Sequence, residues 1–132
     1  MMEVPIVKGT PPDISGKECE ELICQQSWYN GKLVDEANAI YLKFEGQWHM
    51  LFFDCSIISW GKEEEGPRAV ETTEEGLSCP LVDLGRRFKI KGQLLESYSS
   101  SKTDGGCQVA FRFQNGTELV FKNEGSFNTF ST

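Results

Sequence analysis

The chain holds one histidine, His49, and five cysteines, Cys19, Cys24, Cys55, Cys79 and Cys107. His49 precedes Asp54 by five residues and Cys55 by six. Imidazole, carboxylate and thiol are the parts of a nucleophilic site, in which the base takes the thiol proton and the carboxylate orients the base. The spacing works against that use. FEGQWHMLFFDCSIISW, residues 44–60, is the densest apolar run and reads as extended chain. On a strand His49 and Asp54 project to opposite faces. His49 and Cys55 share a face but lie roughly 20 Å apart at about 3.3 Å per residue, far beyond the reach of a hydrogen bond. A hydrolase using His49 would need a thiol from elsewhere, such as Cys107. The simpler expectation is a strand-end histidine packed beside aromatics, and no catalytic residue is assigned.

Other chemistry is thinner. Cys19 and Cys24 form a CxxxxC with no second half nearby, and one histidine does not complete a usual zinc set, so no metal and no cofactor is expected. The odd cysteine count fits reduced thiols packed as small hydrophobes. No GxSxG and no phosphate-binding glycine loop occurs. The carboxylates Glu63, Glu64 and Glu65 lie in a stretch too polar to hold an acid–base pair rigidly.

Charge narrows the partners. The net charge is −7, and the segment 62–83 carries −5 of it, with seven acidic residues against Lys62 and Arg68. Such a chain repels nucleic-acid phosphates and anionic membranes and suits a basic protein partner. SWYNGKL, residues 27–33, resembles the aromatic strand of cold-shock domains only as far as Lys32. Arg87, Lys89 and Lys91 give a short basic row, a weak footprint for nucleic acid. No apolar run reaches the roughly 18 residues of a membrane span. The opening MMEVPIVKGTPPD lacks the basic-then-apolar pattern of a secretory leader, so a soluble, cytoplasmic protein is expected.

The elements that must position these groups are mostly strands, in a chain whose length suits one domain, 1–132. Residues 1–14 read as an irregular lead-in with three prolines. Ser15-Gly16-Lys17-Glu18 has the form of a helix capping box. It supports a short helix over 16–26, against a competing strand through Leu22 and Cys24. Ile40, Leu42 and Phe44 alternate with Tyr41, Lys43 and Glu45. A two-residue turn at Gly46-Gln47 would set Phe44 opposite His49 and Leu42 opposite Leu51, placing His49 on the core face with Phe53. Both faces of 48–54 are apolar, so each needs a cover.

SIISW, 56–60, reads as a further strand, and 62–83 as an acidic excursion in which 68–72 can pair as an edge. GRRFKIKG, 85–92, has strand alternation with Phe88 and Ile90 inward, extended by Leu94, Leu95 and Tyr98 after a bulge at Gly92. SSSKTDGG, 99–106, reads as flexible loop. Val109, Phe111 and Phe113 alternate cleanly, and Asn115-Gly116 predicts a type I′ turn with positive φ at both residues. Asn115-Gly116-Thr117 has the form of a glycosylation sequon and is read only as that turn. Together these give a mainly β fold, an antiparallel sheet curled into a barrel or sandwich, with one short N-terminal helix as the minority element.

YLKFEGQWHMLFFD, residues 41–54, resembles a hairpin of small acidic bacterial immunity-type proteins, over about a tenth of the chain. The resemblance implies a stoichiometric inhibitor of a basic toxin or enzyme and carries no site residue with it. The expected function is therefore non-enzymatic binding. Glu63, Glu64 and Glu65 would steer a basic protein, and Trp60 would serve as an exposed anchor. The alternative is a small apolar ligand held in the mouth of a β-barrel.

Overall fold

The computed structural model describes residues 4–132. The chain is mainly β and forms two sheets, of seven and four strands, that share one apolar core. The first sheet has the order β1-β5-β4-β3-β2-β6, with β7 also paired to β2. These strands are β1 (Ile6–Lys8), β2 (Glu21–Tyr29), β3 (Lys32–Phe44), β4 (Gln47–Asp54), β5 (Ile57–Glu63), β6 (Leu77–Ser78) and β7 (Leu81–Asp83). Helix α1 (Leu84–Arg87) leads into the second sheet. That sheet is a meander of β8 (Leu95–Thr103), β9 (Gly106–Phe113), β10 (Glu118–Glu124) and β11 (Phe127–Ser131). No helix among the described residues is long and apolar enough to cross a membrane.

Alternation builds the core. Ile40, Leu42, Phe44 and Leu51 from one sheet meet Val109, Phe111, Phe113, Leu119 and Phe121 from the other, all essentially fully buried. The aromatic centre is edge-on: Trp60 lies 5.7 Å from Tyr98 and 6.3 Å from Phe111 between ring centroids, separations typical of favourable aromatic pairs.

The structure corrects several sequence expectations. Residues 16–26 form no helix; Glu21–Tyr29 is β2, the competing reading. The backbone groups that a helix would use are taken elsewhere: Gly16 N–H donates to Leu95 O, Cys19 N–H to Gln93 O, and Lys17 O accepts from Leu95 N–H. Within 1–14, Ile6–Lys8 pairs parallel to β5, and residues 1–3 lie outside the described part. The β3–β4 turn is Glu45-Gly46, with φ of 50° and 73°, not Gly46-Gln47. Leu42 consequently faces His49, and Ile40 faces Leu51. The slip is two residues, so every side chain keeps its expected face.

Residues 85–92 are not a strand. Asp83 caps α1 by accepting from Arg86 N–H at 3.1 Å, and Lys89 and Gly92 turn at positive φ. Ile90 is buried as its spacing implied. The basic row dissolves: Arg87 lies over the rings of Phe88 and Phe130, while Lys91 pairs with Glu21 at 2.5 Å. The serine-rich 99–103 is strand, because as an edge its polar side chains stay wet while its backbone pairs with β9.

The β9–β10 loop differs from the expected two-residue turn. Only Gly116 has positive φ, at 89°. Gly116 N–H donates to Phe113 O, and Phe113 N–H donates to Thr117 O, the pattern of a three-residue loop closed by a glycine bulge. Asn115 accepts from Thr117 N–H instead of entering the left-handed region.

Candidate functional site

His49 stands at one end of β4, directly opposite Leu42 on β3 and Lys62 on β5. The lead-in folds back over this end of the sheet. Gly9, at φ 79°, presses against the Trp60 carbonyl so closely that a Cβ there would meet the oxygen at 2.1 Å. Tyr98 donates its hydroxyl hydrogen to Pro12 O, and Ile14 is buried. Between lead-in and sheet lies a recess of about 650 Å³. Pro11, Pro12, Ile14, Phe44 and Trp60 give it an apolar wall, and Asp13, Lys17, Glu45, Lys62 and His49 supply its titratable groups.

Within this recess the polar groups are unevenly satisfied. Lys17 is paired with Glu45 at 2.5 Å. His49 is 7% exposed, yet its ring has no hydrogen-bond partner among the described residues. Trp60 is 6% exposed, and its indole Nε1 is buried without a partner. Burial, reinforced by Lys62 and Lys17, pulls the His49 pKa below its ordinary 6.5. The ring is therefore neutral near pH 7, carrying one donor and one acceptor nitrogen.

The far end of β4 is also polar but differently built. A bulged stretch of β3 turns Asp35 inward. Asp35 Oδ1 accepts from Asn128 N–H at 2.9 Å and Oδ2 from Asn128 Nδ2 at 2.6 Å. Asn123 Nδ2 donates to Asn128 Oδ1 at 2.8 Å, and Asn123 Oδ1 accepts from Ser56 N–H at 3.1 Å. The chain of bonds ties β3 to β10, β11 and the β4–β5 turn. Cys55 and Ser56 hold that turn at φ of 50° and 67°, a conformation that L-residues enter reluctantly.

The structure thus keeps His49 apart from Asp54 and Cys55, as strand geometry required. Asp54 and Cys55 are exposed at the far end. Cys107 is buried on β9, with Lys102 and Asn123 as its strand neighbours, and no cysteine lines the His49 recess. All five cysteines are free. Burial pushes the Cys19 and Cys24 thiols up to about 12, so neither is an available thiolate.

Trp60 is a correction: it is no exposed anchor. Even-numbered residues of β5 face the core, so Trp60 sits opposite Leu51 and packs on Tyr98 and Phe111. Glu63 ends β5 opposite Trp48, and with burial it raises the Tyr41 pKa. Glu64 and Glu65 are exposed, and Glu65 pairs with Arg68 at 2.8 Å. Their segment forms a strap over the outer sheet face. Gly66 lies on the Trp48 indole, where a Cβ would come within 2.8 Å, and Gln25 donates to Arg68 O at 3.2 Å. The strap covers part of the second apolar face of β4. Beyond it, Val70 alone of 68–72 bridges, to Cys79.

Sequence reasoning missed Asp35, Asn123 and Asn128. Asn123 left a signal, since Leu119, Phe121 and Asn123 share one alternating face. A buried amide there requires partners. Asp35 left none, because the bulge that turns it inward is invisible in the pattern. No family model, characterised protein or solved structure matches the chain.

Proposed function

We propose that the chain is a non-catalytic binding protein and that the recess at the His49 end of β4 receives a small, partly apolar ligand. One observation carries this reading. His49 lines a recess that otherwise offers proline, isoleucine and aromatic surface, and its ring nitrogens have no partner among the described residues and are not sealed from solvent. Sites for small molecules combine apolar walls with a few polar groups that fix orientation.

The test uses Trp60 as reporter. Replacing Trp28 and Trp48 with Phe leaves it the sole tryptophan. Octanol, added to millimolar concentration, should shift its emission saturably, and His49→Tyr, which narrows the recess without adding a tryptophan, should weaken that response. A linear, non-saturating response would reject the reading.

A second reading is favoured by the strap. Glu64 and Glu65 are exposed on it, next to Glu63 at the half-buried end of β5 and adjoining Trp48 and Tyr41, which suits a basic protein partner of the kind an immunity-type inhibitor meets. Neutralising Glu63, Glu64 and Glu65 to Gln should then slow association with a captured basic partner more than it speeds dissociation. The effect should fade as salt shortens the Debye length from about 10 Å to about 3 Å. Equal association rates for wild type and triple variant at low salt would remove this reading.

A further inference from the structure

Resting on the recess as the ligand site, we propose that its ligand is a small carboxylic acid with an apolar tail, its head held by His49 and Lys62, and that binding loads a proton onto His49. The argument is donor and acceptor accounting. The recess lining has two carboxylates, Asp13 and Glu45, and two ammonium groups, Lys17 and Lys62. Glu45 is paired with Lys17, and Asp13 also acts electrostatically on Lys17. Lys62 has no ion-pair partner among the described residues, and it stands beside His49 as its directly paired residue on the neighbouring strand. The groups left over are therefore an ammonium and an imidazole, with three donors on the first and one on the second. Donors are in surplus, so the ligand must bring acceptors. The acidic Asp13 and Glu45 favour a singly charged head over a dianion such as phosphate. The walls of Pro11, Ile14 and Phe44 would hold the tail.

Proton uptake follows from the same arrangement. In the empty recess, the charges facing His49 from the neighbouring elements are Lys62 on β5, Lys17 and Asp13 on the lead-in, and Glu45 on the β3–β4 turn. The two cations and the burial of the ring keep it neutral. A carboxylate seated against the ring adds the missing negative charge and favours the imidazolium, which then donates from both nitrogens. Of the groups lining the recess, only histidine ordinarily changes charge between about pH 6 and pH 8. Affinity for the carboxylate should therefore rise as pH falls across that range, while affinity for an uncharged ligand should not.

The experiment is calorimetric titration of the full chain with octanoate, octanol and octylamine, in buffers of different ionisation enthalpy. Octanoate should bind at least about tenfold tighter than octanol, with heats that reveal proton uptake near pH 7. Lys62→Gln, at an exposed position, should weaken octanoate about tenfold and octanol much less. His49→Gln keeps a donor but does not titrate, so it should weaken octanoate and lose both the proton uptake and the rise in affinity toward acid. Equal affinity for octanoate and octanol without proton uptake would overturn the carboxylate proposal and leave the recess reading intact. Tightest binding of octylamine would also overturn it. Absence of saturable binding by all three would remove the recess reading, and the proposal with it.

Discussion

The two ends of β4 carry the same kind of residue in opposite states. At the Asp35 end, a buried carboxylate and two buried amides are bonded to one another and to backbone across both sheets. At the His49 end, an imidazole on the recess wall has no hydrogen-bond partner among the described residues, and beside it on β5 the Trp60 indole N–H is buried without one. A satisfied buried network fixes one arrangement of strands, whereas polar groups left open on a recess wall are available to a ligand. The first end is architecture, and the second presents groups open to chemistry from outside.

The largest test of this contrast is substitution at each end. Asn128→Ala removes the side-chain partner of Asp35 Oδ2 and the acceptor of Asn123 Nδ2, while its backbone N–H stays on Asp35 Oδ1, and should destabilise the fold by about 3 kcal/mol. His49→Phe, an apolar ring of similar shape that leaves nothing behind unpaired, should change stability by less than about 1 kcal/mol. Urea unfolding of the two variants decides it. Equal losses would mean that His49 is as structurally committed as Asn128.

The walls of the recess should be more sensitive than its imidazole. Gly9→Ala combines positive φ with a collision against the Trp60 carbonyl. It should cost roughly 2 kcal/mol and expose Trp60 to quenching by acrylamide. Retained stability and unchanged quenching would show that the lead-in does not close the recess.

At the satisfied end, strain in the β4–β5 turn should be removable without touching the network. The double change Cys55→Asn with Ser56→Gly supplies residues that accept positive φ and keeps the backbone N–H that Asn123 receives. Stability should rise by about 1 kcal/mol. A loss would mean that the Cys55 or Ser56 side chain holds the turn.

The smallest expected effect is on pH dependence. An unfolded histidine takes its proton near pH 6.5, and His49 in the fold takes its proton at lower pH. On acidification the unfolded chain binds the proton first. The stability that neutral His49 contributes is thus full above about pH 6.5 and is lost as pH falls through the folded value. The unfolding free energy of wild type minus that of His49→Phe should fall as pH is lowered across that range. A pH-independent difference would place His49 in contact with solvent.

Much of this was legible in the chain, and the failures have physical causes. Clean alternation at 40–44, 49–53 and 109–113 assigned faces correctly even where the turn slipped by two residues, because side-chain direction has period two. Residues 85–92 misled because strand alternation overlaid an Asp83-capped turn of helix and two left-handed residues. Residues 99–103 misled because an edge strand needs no apolar side chains. His49 drew attention as the lone histidine, but the recess around it is made by the lead-in folding back through Tyr98 and Gly9, contacts between segments far apart in sequence. Trp60 was given the wrong side because the parity of β5 depends on a turn at Cys55-Ser56, which has no glycine to announce it.

The two ends can be watched together. His49 is the only histidine, so its imidazole C–H signals are unambiguous in a carbon–proton NMR spectrum, and the side-chain amides of Asn123 and Asn128 report the other end. On titration with octanoate, the His49 signals should move saturably while both amides stay in place. Movement of the amides with an unchanged His49 would contradict the assignment of the vacant site.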